Sequence, residues 1–179
     1  MTETRPTVLI TGAAGNLGAA VVAHFAGQGA RLVLLDRNAG ALRQHYGGIA
    51  DAELVEVNLL DREQVADRIG QAIARAGRVD VLCHLAGGFH MGERVHDTPA
   101  AAWDLMMDLN ARSLIHVAAA VVPRMIAQGA GRIVAVAARA QNTDDRGMGA
   151  AEGRLVQLEV GGRAVALVDD DEHGGVAPV

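Results

Sequence analysis

The first 140 residues alternate short apolar runs with segments in which apolar positions recur every three or four residues. Thr7–Thr11 is apolar at its centre and ends in glycines, which predicts a strand buried on both faces. Leu17, Val21 and Phe25 then recur at i+4, with Ala20 and His24 beside them, and predict an amphipathic helix closing at Gly27 and Gly29. Arg31–Asp36 predicts a second strand, residues 38–45 a short helix, and Glu53–Val57 a third strand. Asp61 stands at an N-cap position ahead of the stripe Val65, Ile69, Ala72, Ile73 and Ala76. Val79–His84 predicts a fourth strand. Two helical stretches cover about 99–128, the second burying Leu114, Val117, Ala118, Val121 and Met125. Pro123 lies inside that pattern and predicts a kink. Arg132–Ala137 predicts a fifth strand.

Strands that are apolar throughout and alternate with helices predict an α/β protein, a parallel sheet covered on both faces. With right-handed crossovers the expected arrangement is a doubly wound, three-layer α/β/α fold of strand order 3-2-1-4-5. Its ligand crevice falls at the carboxyl ends of the first and fourth strands. Residues 1–140 form this domain, and 141–179 are a divergent tail. Gln141–Gly153 is polar and aperiodic, which predicts a loop. Leu155–Val160 and Arg163–Val168 flank Gly161-Gly162, a two-residue hairpin signal over 155–168. In that register Val156 and Leu158 share a face with Val165 and Leu167, and the hairpin is a candidate cover for the edge of the fifth strand. Residues 169–179 read as a frayed end.

Composition narrows the function. The chain has 179 residues, 50% hydrophobic and 21% charged, as a globular protein has. Its aromatics are only Phe25, Tyr46, Phe89 and Trp103, and its net charge is −5; both argue against a nucleic-acid partner. A single cysteine, Cys83, excludes a disulfide scaffold and a cysteine-based zinc site. His24, His45, His96, His116 and His173 are scattered, so no metal site is expected. Uninterrupted apolar runs are too short for a membrane span, and residues 1–6 carry no apolar signal core, so a cytoplasmic location is expected. All 16 basic residues are Arg. Residues 1–140 are neutral overall, and 141–179 carry the whole net charge of −5. The chain changes character near residue 140.

The chemistry centres on Thr11–Gly18, between the first strand and the first helix. Gly12 permits the tight turn, and Gly15 lets backbone N–H groups of Asn16, Leu17 and Gly18 face a pyrophosphate. Gly18 lets the helix pack against the strand. Glycines serve turns anyway, but a strand before and a helix after make this a dinucleotide site. Asp36 ends the second strand, where an acid accepts hydrogen bonds from the adenosine ribose hydroxyls. A carboxylate there repels a 2′-phosphate, so NAD is favoured over NADP, with Arg37 softening the preference. Capping of the 38–45 helix is a compatible second role for Asp36.

Together these residues resemble the short-chain dehydrogenase/reductase family, over about residues 5–140. Thr11–Gly18 fits its phosphate loop in the spacing G-x-x-G-x-x-G, which is more typical of the extended subgroup. Asn58-Leu59 stands where the family places Asp-Leu or Asp-Val against the adenine. Ala86-Gly87 match the end of its Asn-Asn-Ala-Gly segment, with His84 and Leu85 replacing the asparagines. Asn110, after Trp103-Asp104 and before a long helix, matches the active-site Asn. Gly131–Val134 matches the start of the fifth strand. The resemblance implies a Rossmann-type fold, a nicotinamide cofactor, and hydride transfer between that cofactor and an alcohol or carbonyl substrate. It also implies pairing of subunits through the helix at about 109–128.

The chain departs from the family where its chemistry lies. Ala138 stands at the position of the active-site Ser, and Ala151 and Leu155 at the positions of Tyr and Lys. Tyr46 is the only tyrosine and there is no lysine, so no realignment supplies them. In the family the Tyr moves the substrate proton, the Lys lowers its pKa and the Ser orients the carbonyl. The expectation is an NAD(H)-binding, catalytically impaired family member. The alternatives are a non-catalytic NAD-sensing or partner-binding module, and an enzyme using another acid. A frameshifted or replaced segment after residue 140 would suit the first reading. His84 and His90, near the end of the fourth strand, are the candidate substitutes, though a structural or solvated role is the simpler one. Cys83 reads as inert in a buried strand, Trp103 as helix packing, and Arg139 as solvated. Without the Lys, Asn110 is left to brace the fourth strand against the helix.

Overall fold

A computed structural model describes residues 5–90, 94–140, 151–160 and 165–167. The elements are β1 (Thr7–Thr11), α1 (Asn16–Gly27), β2 (Arg31–Asp36), α2 (Ala39–Tyr46), β3 (Ala52–Glu56), α3 (Arg62–Ala76) and β4 (Val81–His84). They continue with α4 (Ala100–Met107), a π-helical turn (Asp108–Arg112), α5 (Ser113–Gln128), β5 (Gly131–Ala140), β6 (Ala151–Val160) and β7 (Val165–Leu167). One sheet runs β3-β2-β1-β4-β5-β6-β7. Its first five strands are parallel, in the expected order 3-2-1-4-5, and β6 and β7 add antiparallel.

Alternation along the central strands builds two cores. Leu9, Val33 and Leu35 pack with Val65, Ile69 and Ala72 of α3 and Val117, Val121 and Met125 of α5. Val8, Ile10, Leu32 and Leu34 face the other way, onto Val22 of α1 and Leu42 and Tyr46 of α2. Parallel strands buried on both sides need apolar residues at every position, which is why β1 and β2 read as unbroken runs. Asp61 caps α3, its side chain accepting from the Gln64 N–H at 3.0 Å. Asp61→Ala is expected to lower stability by about 1 kcal/mol, read from urea midpoints.

Several elements differ from the sequence reading. The buried stripe of α1 is Gly18 and Val22, while Leu17 is 50% exposed. The helical register shifts at Asp108–Arg112, and in α5 Leu114 and Ala118, expected in the buried face, are only half-buried. Ala100–Gln128 is also long and apolar enough to cross a membrane, by length and composition. No charge falls between Arg112 and Arg124, which raises its average although charges break the runs on either side. Val117, Val121 and Met125 of that helix are fully buried in the protein core.

The segment after β5 departs most. β5 extends to Ala140, and β6 pairs with it along its whole length, from Gly131↔Val160 to Ala140↔Ala151. Residues 151–153, expected in a loop, are therefore strand, because β5 offers ten residues of open edge. Residues 141–150 of that predicted loop lie outside the described residues. The hairpin partners are as predicted, Val156↔Leu167 and Leu158↔Val165, and the hairpin covers the β5 edge. Its Gly161-Gly162 turn and residues 169–179 lie outside the described residues, and so do the surroundings of Arg139.

Candidate functional site

The carboxyl ends of β1 and β4 meet the start of α1. Gly12 has φ +65°, and a Cβ there would sit 2.9 Å from the Ala86 nitrogen. A Cβ on Gly18 would sit 2.3 Å from the Gly12 oxygen and 2.6 Å from that of Ala13. Both positions are closed to any side chain. Gly15 is different: its Cβ position meets only the Gly12 oxygen, at 3.3 Å, and is otherwise open. Gly15 is also the N-cap of α1, with no side-chain cap and no acid in the first turn. The N–H groups of Asn16, Leu17 and Gly18 at the helix start therefore face a space suited to an anion.

Asp36 holds this turn. One carboxylate oxygen accepts from the Ala14 N–H at 3.1 Å and the other from the Asn38 N–H at 3.0 Å. A carboxylate has about four acceptor sites, so about two remain for a ligand. The N-cap of α2 is Asn38, accepting from Ala41 at 3.0 Å, so Asp36 orients the cap instead of serving as it. Tyr46 donates its hydroxyl to the Ala13 carbonyl at 2.6 Å. Burial, aided by the charge of Asp36, raises its pKa and keeps it a donor. Sequence reasoning missed this second clamp on the turn, because Tyr46 reads simply as the apolar end of a short helix.

Asn58 and Leu59 follow β3. The Asn58 side chain accepts from Leu60 N–H at 3.2 Å, and the Leu59 carbonyl lies 2.9 Å from His116 Nδ1. The segment after β4 is fixed from both flanks. Thr11 Oγ1 accepts from the N–H groups of Leu85 at 3.1 Å and Ala86 at 3.2 Å. On the far side Asn110 Oδ1 accepts from Gly88 N–H at 3.0 Å, and its Nδ2 donates to the Gly88 carbonyl at 2.9 Å. Gly87 lies under this amide, where a Cβ would sit 2.7 Å from Asn110 Oδ1. Asn110 thus braces the end of β4 against the helix, as expected.

His84 does not face the crevice. It is 3% exposed, with Nδ1 3.1 Å from the Thr11 hydroxyl and Nε2 3.1 Å from Ser113 Oγ. Burial lowers its pKa to about 4, so it is neutral at pH 7 and has no free nitrogen for a substrate. His90 is exposed. Cys83 lies buried in β4, as expected, and burial raises its pKa to about 11. Trp103 is 61% exposed, against the expected packing role, because α4 buries none of its residues. No group of three or more metal-ligating residues forms among the described residues.

The positions that the resemblance gives to Ser, Tyr and Lys all fall on strands. Ala138 pairs with Gly153, Ala151 with Ala140, and Leu155 with Val136. Ala151 and Leu155 both lie on β6.

Residues 6–150 match the short chain dehydrogenase family. The chain is 34% identical over 136 residues to the 2-(R)-hydroxypropyl-CoM dehydrogenase of Xanthobacter autotrophicus, covering 72% of this chain and 54% of that protein. Among solved structures it resembles an NAD+-bound xylitol dehydrogenase, with TM-score 0.69, 29% identity, and coverage of 73% of this chain and 52% of that one. A metagenomic short-chain oxidoreductase in complex with NADP gives TM-score 0.67 and 29% identity, with coverage of 73% and 61%. The chain spans about half the length of the curated relatives it matches, 57% and 54% for two of them. The strand order agrees with that match, and the chain belongs to the short-chain dehydrogenase family, whose members bind nicotinamide cofactors.

Proposed function

We propose that the crevice binds NAD(H) in preference to NADP(H), and that this chain turns over alcohol or carbonyl substrates poorly. The observation that carries the first part is the pairing of an open helix start at Gly15 with the half-satisfied carboxylate of Asp36. The N–H groups of Asn16, Leu17 and Gly18 hold the pyrophosphate. Asp36 takes the ribose hydroxyls and opposes a 2′-phosphate. Asn58 and Leu59 flank the adenine, and Ala86 and Gly87 floor the crevice. A bound nicotinamide supplies the hydride chemistry. The chain supplies no proton-transfer group at Ala138, Ala151 or Leu155, and such a group is typically worth about 10²–10⁴-fold in rate.

Fluorescence titration with NADH and NADPH tests this reading. NADH is expected to saturate the chain, and Asp36→Ala to raise its Kd about ten- to a hundredfold, as charge-assisted hydrogen bonds to one carboxylate are worth. Equal affinity for NADPH would reject the NAD preference, and no binding by the folded chain would reject the site.

We further propose that α5 pairs with another subunit, a second copy being the simplest partner. Ile115 and Ile126, 65% and 64% exposed, lie on one stripe with Ala119 and Val122, at helical spacing. Ile115→Glu is expected to leave a monomer in sedimentation velocity where the wild type is a dimer. A wild-type monomer would remove the proposal.

A further inference from the structure

The buried polar chain through His84 has one possible direction. Thr11 Oγ1 already accepts two N–H bonds, from Leu85 and Ala86. Both lone pairs of the hydroxyl are used, so its proton points to His84 Nδ1. Nδ1 is then the acceptor, and Nε2 carries the proton and donates to Ser113 Oγ. Ser113 donates onward to the Leu109 carbonyl at 2.7 Å. That carbonyl lies in the π turn, where the Ser113 N–H reaches back to Asp108 and leaves Leu109 to the hydroxyl. Thr11, His84 and Ser113 are all buried, and no buried side-chain polar atom among the described residues lacks a partner.

The two ends of this chain are the two clamps on residues 85–88. Thr11 fixes Leu85 and Ala86, and the π turn carries Asn110, which fixes Gly88. We infer that His84 is a positioning residue: with Ser113 it forms a strut that holds the π turn in register and so sets Asn110 over the crevice floor. The part of the inference that concerns nucleotide affinity rests on the proposed NAD site; the strut itself does not. Sequence reading sees only a His in place of an Asn, since neither Thr11 nor Ser113 is marked by any motif spacing to it.

Amide exchange and NADH titration on the full chain test the strut, using three variants. His84→Leu keeps an apolar filling but removes both bonds. Ser113→Ala removes the far bond and keeps the histidine. His84→Gln retains an acceptor and a donor side by side. In the nucleotide-free chain, His84→Leu and Ser113→Ala are expected to speed exchange at Gly88 and Ser113 about tenfold, with Leu34 and Val55 unchanged. Kd for NADH rises about tenfold in both, the worth of one average hydrogen bond. His84→Gln restores both readings toward wild type. Unchanged exchange at Gly88 and Ser113 in Ser113→Ala overturns the strut, as does a Gln variant that folds but behaves like Leu. A wild type that binds no NADH rejects the nucleotide site, while the exchange measurements still decide the strut.

Discussion

Gly18→Ala is expected to abolish most nucleotide binding and to lower the melting temperature together. The added methyl would sit 2.3 Å and 2.6 Å from two backbone oxygens, those of Gly12 and Ala13. Neither is the end of a flexible side chain, so the turn or the helix must move. Overpacking of this kind costs about 1–3 kcal/mol, and a rigid backbone neighbour puts the change at about 3. For a domain of this size that is a fall of roughly 6–12 °C in Tm. Movement of the turn also displaces the N–H groups of Asn16, Leu17 and Gly18, and NADH affinity is expected to fall about a hundredfold. Gly27→Ala is the control. It lies at the end of the same helix with nothing within 4 Å of its Cβ, and is expected to be neutral or to stabilise by up to about 1 kcal/mol. Equal behaviour of the two variants in melting and titration would show that the close approach at Gly18 is not what fixes the turn.

The second large effect is on acid stability. His84 has a pKa of about 4 in the folded chain, against 6.5 for the free side chain, and the cause is burial. Between these values the unfolded chain binds a proton that the folded chain does not. Stability from this group is therefore complete above pH 6.5 and is lost as pH falls toward 4. The whole loss is about 3 kcal/mol, a large fraction of a typical domain's 5–15 kcal/mol. Protonation also has no accommodating geometry, because Thr11 Oγ1 already accepts two bonds and its proton points at Nδ1. Urea midpoints at pH 7, 5.5 and 4 should fall steeply in the wild type and much less in His84→Gln. Asp51, whose pKa is held low by its hydrogen bond to Arg5, weakens the chain only at more acid pH, so the windows separate. Matching slopes in the two proteins would mean that His84 does not set the acid limit.

The parts of this fold that the sequence made legible are those in which one physical signal dominates. β1 and β2 are read from unbroken apolar runs, α3 from a stripe whose Val65, Ile69, Ala72 and Ile73 are all buried, and β6–β7 from a Gly-Gly turn signal. The glycine turn was legible because steric closure at Gly12 and Gly18 tolerates no other residue. What stayed hidden depends on distant partners. His84 looks like a crevice residue until Thr11, 73 positions away, and Ser113, 29 positions away, satisfy both its nitrogens. The π turn leaves no periodic mark, since α4 before it buries none of its residues and offers no stripe for the shift to interrupt. Trp103 misled because helical spacing shows that a stripe exists, but not that anything covers it. The extent of β6 was hidden because polar Glu152-Gly153-Arg154 pairs through its backbone, whatever its side chains.

The pairing of β6 with β5 has a kinetic consequence. β1 must find β4 across 73 residues, Val8 to Val81, and β4 must find β5 across 51, Val81 to Arg132. The β5–β6–β7 meander spans only Gly131 to Leu167 and closes short loops, with a smaller loss of chain entropy for each contact. Contacts this local form on microsecond timescales, whereas parallel pairing waits for long-range closure. On refolding of the full chain the meander can therefore acquire its strand pairing before the parallel strands have assembled, and present β5 to β4 as a preformed template.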